Sequence, residues 1–233
     1  MSNGTSDSNP QAQGSVSFDF NAFINESKET LLNPKSYFAA MKTNGGMVEP
    51  LIKAVIYGAI AGIFAFLWSI LKIGAIGGGV FGGAFGVMIF VWLLIAAVIG
   101  LFIGAVIVLV ISAICKGSTD FESNVRVTAS LMVLMPIGAL LGFASGISLY
   151  LGAIITLAVN IFGLWLLYNA LIETLKTKLE TTKVAGYVLI AIFVLMMIGK
   201  LAAVRKANEF MDGFKNSDFK EMMKEMEKGK ENK

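Results

Sequence analysis

The stretch from Ile73 to Cys115, IGAIGGGVFGGAFGVMIFVWLLIAAVIGLFIGAVIVLVISAIC, runs for 43 residues without one charged side chain. Such a run belongs in lipid. As a continuous helix rising about 1.5 Å per residue it would be about twice the thickness of a bilayer core. It therefore either folds back as a hairpin or carries a part that does not cross, and the choice sets the topology of everything that follows.

The rest of the chain agrees with a membrane setting. Of 233 residues, 56% are hydrophobic and 15% charged, against about 25% charged in soluble domains, and the mean hydropathy is +0.74. A single cysteine, Cys115, excludes an internal disulfide, and the absence of histidine removes the commonest general base and metal ligand. No enzymatic activity, cofactor or metal is expected. A net charge of +3 is too small to point to nucleic acid, and Lys and Arg gather beside apolar runs, as anchors do.

Working outward, a first span is expected over Leu51–Leu71, interrupted by Lys53, whose stem would snorkel from the edge. After Cys115 come a polar link, Lys116–Arg126, apolar stretches Val127–Ala144 and Leu149–Ile172 joined by a short turn, a charged link Glu173–Lys183, and a last span near Val184–Val204. If the long run crosses once, Lys28, Lys35, Lys42, Lys53, Lys116, Arg126, Lys176, Lys178 and Lys183 share one side, nine positive charges against four. If it is a hairpin the count becomes seven against six. The positive-inside rule favours the single crossing. The fold class is then all-α, a polytopic bundle of five transmembrane helices with a cytoplasmic amino terminus and the carboxyl terminus on the opposite side. The glycine-rich part Ile73–Phe85 becomes an outer, non-spanning or re-entrant stretch that feeds a helix from about Gly86 to Cys115.

Four segments result: a disordered tail over 1–17 with no cleavable signal peptide, an amphipathic membrane-surface segment over 18–50, the transmembrane domain over 51–204, and a charged tail over 205–233. In the second segment Phe20, Phe23, Ile24, Ser27 and Leu31 share a helical face, and Asn33–Pro34 reads as a cap and first-turn pair. Lying on the membrane surface and packing on the bundle are equally compatible with that pattern. In the tail, Asn216–Ser217 opens a short helix with a stripe of Phe219, Met222, Met223 and Met226.

Few residues in the spans carry chemistry. Gly77, Gly79 and Gly82 have the G-x-G-x-x-G spacing but no βαβ context, so they do not read as a nucleotide site. Gly58/Gly62, Gly100/Gly104 and Gly138/Gly142/Gly146 are small-xxx-small pairs, suited to packing within the bundle or to a homo-oligomer seam. Pro136 should free a carbonyl one turn earlier and kink the third span. Asn160, Asn169 and Glu173 are the polar groups of the fourth span, and no ionisable residue stands at the middle of any span, which weakens an ion pathway. In the polar link, Asp120 and Glu122 are placed to pair with Lys116 and Arg126.

That link, Lys116-Gly-Ser-Thr-Asp-Phe-Glu-Ser-Asn-Val-Arg126, leading to Pro136, resembles the hallmark of the YIP family, the Ypt/Rab-interacting membrane proteins and their prokaryotic relatives. The resemblance rests on Gly117, Phe121, Arg126 and Pro136, on Pro34 and Phe38 in Leu31-Leu-Asn-Pro-Lys-Ser-Tyr-Phe38, and on Thr182-Lys183-Val-Ala185. It covers residues 30 to 204 and implies five spans, a cytoplasmic amino terminus and no catalysis, in a member of prokaryotic type in the cytoplasmic membrane. Many members have two glycines where this chain has only Gly117. The GTPase connection of eukaryotic members is not carried over, because nothing in the short tail matches a GTPase-docking segment. The expected function is a non-enzymatic membrane protein that organises membrane or recruits a cytoplasmic protein partner. A small-solute transporter or channel using Pro136, Asn160 and the glycine segment is the alternative. The bilayer is the certain partner, and candidate structural or interaction residues are Pro34, Phe38, Gly117, Phe121, Arg126, Pro136, Asn160 and Lys183.

Overall fold

In the computed structural model, residues 19–71, 73, 82–203 and 206 are described, excepting the side chains at 82–86, 89 and 149. The first helices answer to their caps. α1 (Phe20–Leu32) starts where the Asp19 carboxylate accepts from the Asn21 and Ala22 backbone N–H groups at 2.9 and 3.0 Å. α2 (Pro34–Ala40) begins on Pro34, whose missing N–H costs nothing at a first helical position. Asn33 is not its side-chain cap: its Nδ2 instead donates to Glu29 at 2.8 Å, closing the end of α1.

Among the described residues, five segments are long and apolar enough to cross a membrane: Val48–Ile70, Phe90–Ile114, Phe121–Ile147, Tyr150–Glu173 and Leu179–Ala203. α3 (Val48–Ile70) supplies the first and starts three residues before the sequence expectation, because Glu49 and Pro50 fit its first turn. α4 (Gly82–Ile114) is one unbroken helix. The long uncharged run thus crosses once, and its glycine-rich beginning, with Gly77 and Gly79, lies outside the described residues, as do the 1–17 tail and the 216–226 stripe.

The third crossing is segmented into α5 (Phe121–Leu131), α6 (Leu134–Leu140), a 3₁₀ turn (Leu141–Phe143) and α7 (Ala144–Ile147). Pro136 is the cause of the first break. It cannot donate to Met132, one turn earlier, and the Met132 carbonyl takes the Met135 N–H at 2.9 Å instead. α8 (Leu149–Glu173) and α9 (Leu179–Ala203) complete the bundle.

α3 packs along α4, where missing side chains let the backbones close up: a Cβ at Gly58 would stand 2.6 Å from that of Ala97, and one at Gly62 2.6 Å from the Phe90 ring. A Cβ at Gly104 would stand 2.8 Å from Thr128 on α5, whereas at Gly100 and Gly138 it would meet open space. These glycines serve close packing inside the bundle at Gly58, Gly62 and Gly104 and not at Gly100 or Gly138. The buried core, built around Phe23, Phe38, Tyr57, Leu101, Val125 and Leu166, joins α1 and α2 to the ends of the spans.

Candidate interaction face

Three segments far apart in sequence meet at one end of the bundle: α1–α2, the link 115–120 with the start of α5, and the link 174–178 with the start of α9. The contacts begin in the first segment. Phe23 of α1 is buried against Tyr57 of α3, ring centroids 5.0 Å apart, and the Tyr57 hydroxyl lies 2.7 Å from Ser27 Oγ. Phe38 of α2 is fully buried, its carbonyl accepts from Thr174 Oγ1 at 2.7 Å, and Tyr37 beside it meets Ser130 of α5 at 2.8 Å. The amino-terminal segment therefore packs on the bundle, while Phe20, Ile24 and Leu32 keep outward, exposed positions on α1.

A ladder of ions ties α1, α3 and α5 together. Lys53 Nζ bonds Glu26 of α1 and, at 2.8 Å, Glu49 one turn back on α3. Arg126 Nη1 reaches Glu49 at 3.0 Å, Nε reaches Glu122 at 3.2 Å, and Nη2 donates to the Gly46 carbonyl at 2.9 Å. Glu122 in turn accepts the Gly46 N–H at 2.6 Å. Gly45 and Gly46 hold φ of +128° and +89°, and a Cβ on Gly45 would come 2.8 Å from Arg126 Nη2, so the loop around the guanidinium requires glycine. The side chains of Lys53 and Arg126 are 10% and 6% exposed, a burial that their ion pairs make tolerable. Lys53 does not snorkel from the edge; it is a buried junction. A charged residue inside a span with a carboxylate four residues earlier was the signal for this pairing.

The two links zip together through backbone groups. Gly117 N–H donates to Ser112 O and Ser118 N–H to Leu175 O, both at 2.8 Å, and Lys178 N–H donates to Cys115 O at 3.0 Å. Ser112 Oγ donates to Ser118 O at 2.7 Å, and Thr182 Oγ1 to Thr177 Oγ1 at 2.8 Å. The approach at Gly117 leaves no room for a side chain, since a Cβ would lie 2.8 Å from the Leu175 carbonyl and 2.6 Å from Ser112 Oγ. The left-handed residue of the turn is Lys116, at φ +60°. Cys115 is fully buried, which fits a small apolar packing role and not an accessible thiol.

Asp120 caps α5, its carboxylate accepting from Ser123 Oγ at 2.6 Å and Ser123 N–H at 2.8 Å. Those bonds, the hydroxyl first and the backbone second, hold its carboxyl below the usual carboxylate value. Of the pairings expected in this link, Arg126 with Glu122 forms, whereas Asp120 is spent on the cap. Asn124, which the sequence reading passed over, is fully buried and donates to Asp120 O at 2.7 Å.

The structure brings Pro34, Phe38, Gly117, Phe121, Arg126 and Lys183 to this end, with Pro34, Phe38 and Arg126 buried, Phe121 39% exposed and Lys183 exposed. Pro136 and Asn160 stand apart, within the spans. A cleft of about 660 Å³ opens between α1–α2 and α3–α5, lined by Glu26, Glu29, Tyr37, Lys42, Lys53 and Arg126. Its buried cations, Lys53 and Arg126, are each paired with carboxylates; such a ladder orders helices and presents their outer surface.

The family model of the Yip1 domain matches residues 28–202. No curated protein matches the chain. No solved structure matches it either.

Proposed function

This chain belongs to the Yip1 family of integral membrane proteins, and from that membership and the convergence of three chain segments at one end we propose that it is a non-enzymatic organiser or recruiter, acting through that face. The observation that carries the reading is the clasp itself. Buried Phe38, the Arg126 ladder and the Gly117 turn hold this end of the bundle together, so its outer surface, with Lys35 on α2, Phe121 on α5 and Lys183 on α9, is a rigid, preorganised platform. The exposed apolar residues Phe20, Ile24 and Leu32 give α1 an edge suited to the bilayer interface, and the partner is a cytoplasmic protein or a second copy.

Charge supports placing this platform on the cytoplasmic side, because with five crossings nine of the flanking cations stand there. The carboxyl terminus is then on the other side. Thiol labelling of Ser217→Cys in a Cys115→Ser chain is expected only from the outer side, and labelling solely from the cytoplasm would refute the orientation. Photo-cross-linking residues placed at Lys35 and Phe121 of the full chain are expected to give a discrete protein adduct that the same residue at Tyr187 does not. If none of the three positions gives one, recruitment is excluded.

A further inference from the structure

A second large cavity, about 650 Å³ and open on one side, lies among α3, α4, α6, α8 and α9. Ala61, Leu134, Gly138, Val159, Leu189 and Phe193 are among its walls; among the described residues no charged one lines it, and the polar side chains are Ser145, Thr156 and Asn160. Thr156 is spent, its hydroxyl donating to the Gly152 carbonyl at 2.8 Å. Ser145 and Asn160 are different: among the described residues neither side chain has a hydrogen-bond partner, although Asn169 on the same helix as Asn160 bonds back to Trp165 O at 2.7 Å, and of the two Asn160 is the one at mid-helix. Asn160 stands one residue from the midpoint of the 25-residue α8, at the depth where the surrounding solvent is hydrocarbon. An amide in that position is costly unless something supplies an oxygen or a donor.

We infer that this cavity is a binding site for a neutral chain lipid that carries a single hydrogen-bonding oxygen, with Asn160 holding that oxygen and the apolar walls holding the chain. Size supports the assignment: at about 650 Å³ the space lies within the span of small-molecule sites, about 300–1,000 Å³. Neutrality follows from the absence of any charged lining group at mid-membrane depth. A phospholipid is a poor occupant, because its ester oxygens sit at the interface, far from Asn160. The segmentation of the third crossing makes the space: α6, the 3₁₀ turn and Gly138, where a Cβ would meet nothing, form one wall. The inference concerns the spans and is independent of the recruiting face.

The test uses the full chain in phosphatidylcholine liposomes with two photoactivatable probes of equal chain length, a long-chain ketone and its hydrocarbon counterpart. The expected result is that the ketone labels α8 and α9 about fivefold more than the hydrocarbon does, the factor that one hydrogen bond supplies. Asn160→Leu should bring that ratio to about one, with unchanged helical content by circular dichroism. Gly138→Phe, which fills the cavity and leaves Asn160 in place, should reduce labelling by both probes. Equal labelling by the two probes in the wild-type chain overturns the inference. So does a ratio that survives Asn160→Leu, or labelling that Gly138→Phe does not reduce.

Discussion

At the clasp, polar and apolar groups are used together: Phe38 fills space beneath a ladder in which Lys53 and Arg126 each bond two carboxylates. The flank made by α8 and α9 is built otherwise. Only 11% and 0% of their central windows are buried in the protein, against 39% for the third crossing, and their large residues, among them Ile154, Tyr187 and Leu195, face outward. The difference teaches where the stabilising free energy of a membrane bundle comes from. Lipid tails are as apolar as leucine, so an exposed apolar face at mid-depth costs nothing, whereas a cation that packing takes out of water, as at Lys53 and Arg126, must find its partners inside the protein.

The contrast can be broken from its stronger side. Phe38→Ala should lower stability by about 3–5 kcal/mol, the range for emptying a large aromatic site, and should loosen α2 from Thr174. Arg126→Met leaves Glu49, Glu122 and the Gly46 loop without their common donor, and a loss of about 3 kcal/mol is expected, with faster hydrogen exchange in α1 and α3. Gly117→Ala should cost about 1–3 kcal/mol, because the obstructing Leu175 carbonyl is backbone and cannot rotate away. Unfolding in mixed detergent micelles measures all three. A loss below about 0.5 kcal/mol for Phe38→Ala, the size of an ordinary surface change, would show that the clasp is not the ordered part.

Smaller effects sharpen the comparison. Asp120 has a folded pKa below its unfolded one, so its contribution is complete above the unfolded value and is lost as pH falls through the folded value. The wild-type chain should therefore lose stability relative to Asp120→Asn, which keeps a capping oxygen without a carboxyl, between about pH 5 and about pH 3. An unchanged difference over that interval would mean the cap bonds do not depend on ionisation. On the flank, Leu195→Ala is expected within about 0.5 kcal/mol of wild type in the same unfolding assay, since Leu195 is 67% exposed and faces lipid.

The legible features were those set by local chemistry or by counting. Charge parity across the spans favoured a single crossing for Ile73–Cys115, and α4 is unbroken. The break before Pro136 follows from one missing N–H. The reading went astray where one side chain had two possible partners. Asn33 could cap the helix after it or close the one before it, and it bonds Glu29; Lys53 could reach water or a carboxylate, and it is held by Glu26, 27 residues away. The Phe38–Thr174 bond, across 136 residues, has no local signal.

Hydropathy, charge placement and proline chemistry by themselves pointed to the membrane setting, the five crossings and the break before Pro136, because each depends on the solvent around a short stretch or on one backbone bond. Only the tertiary structure decided that Gly117 must be bare, that Arg126 is the junction of three elements, and that Asn160 faces a cavity without a partner. These depend on which surfaces meet, and a hydrogen bond or a close contact exists only once both of its sides have been brought within about 3–4 Å.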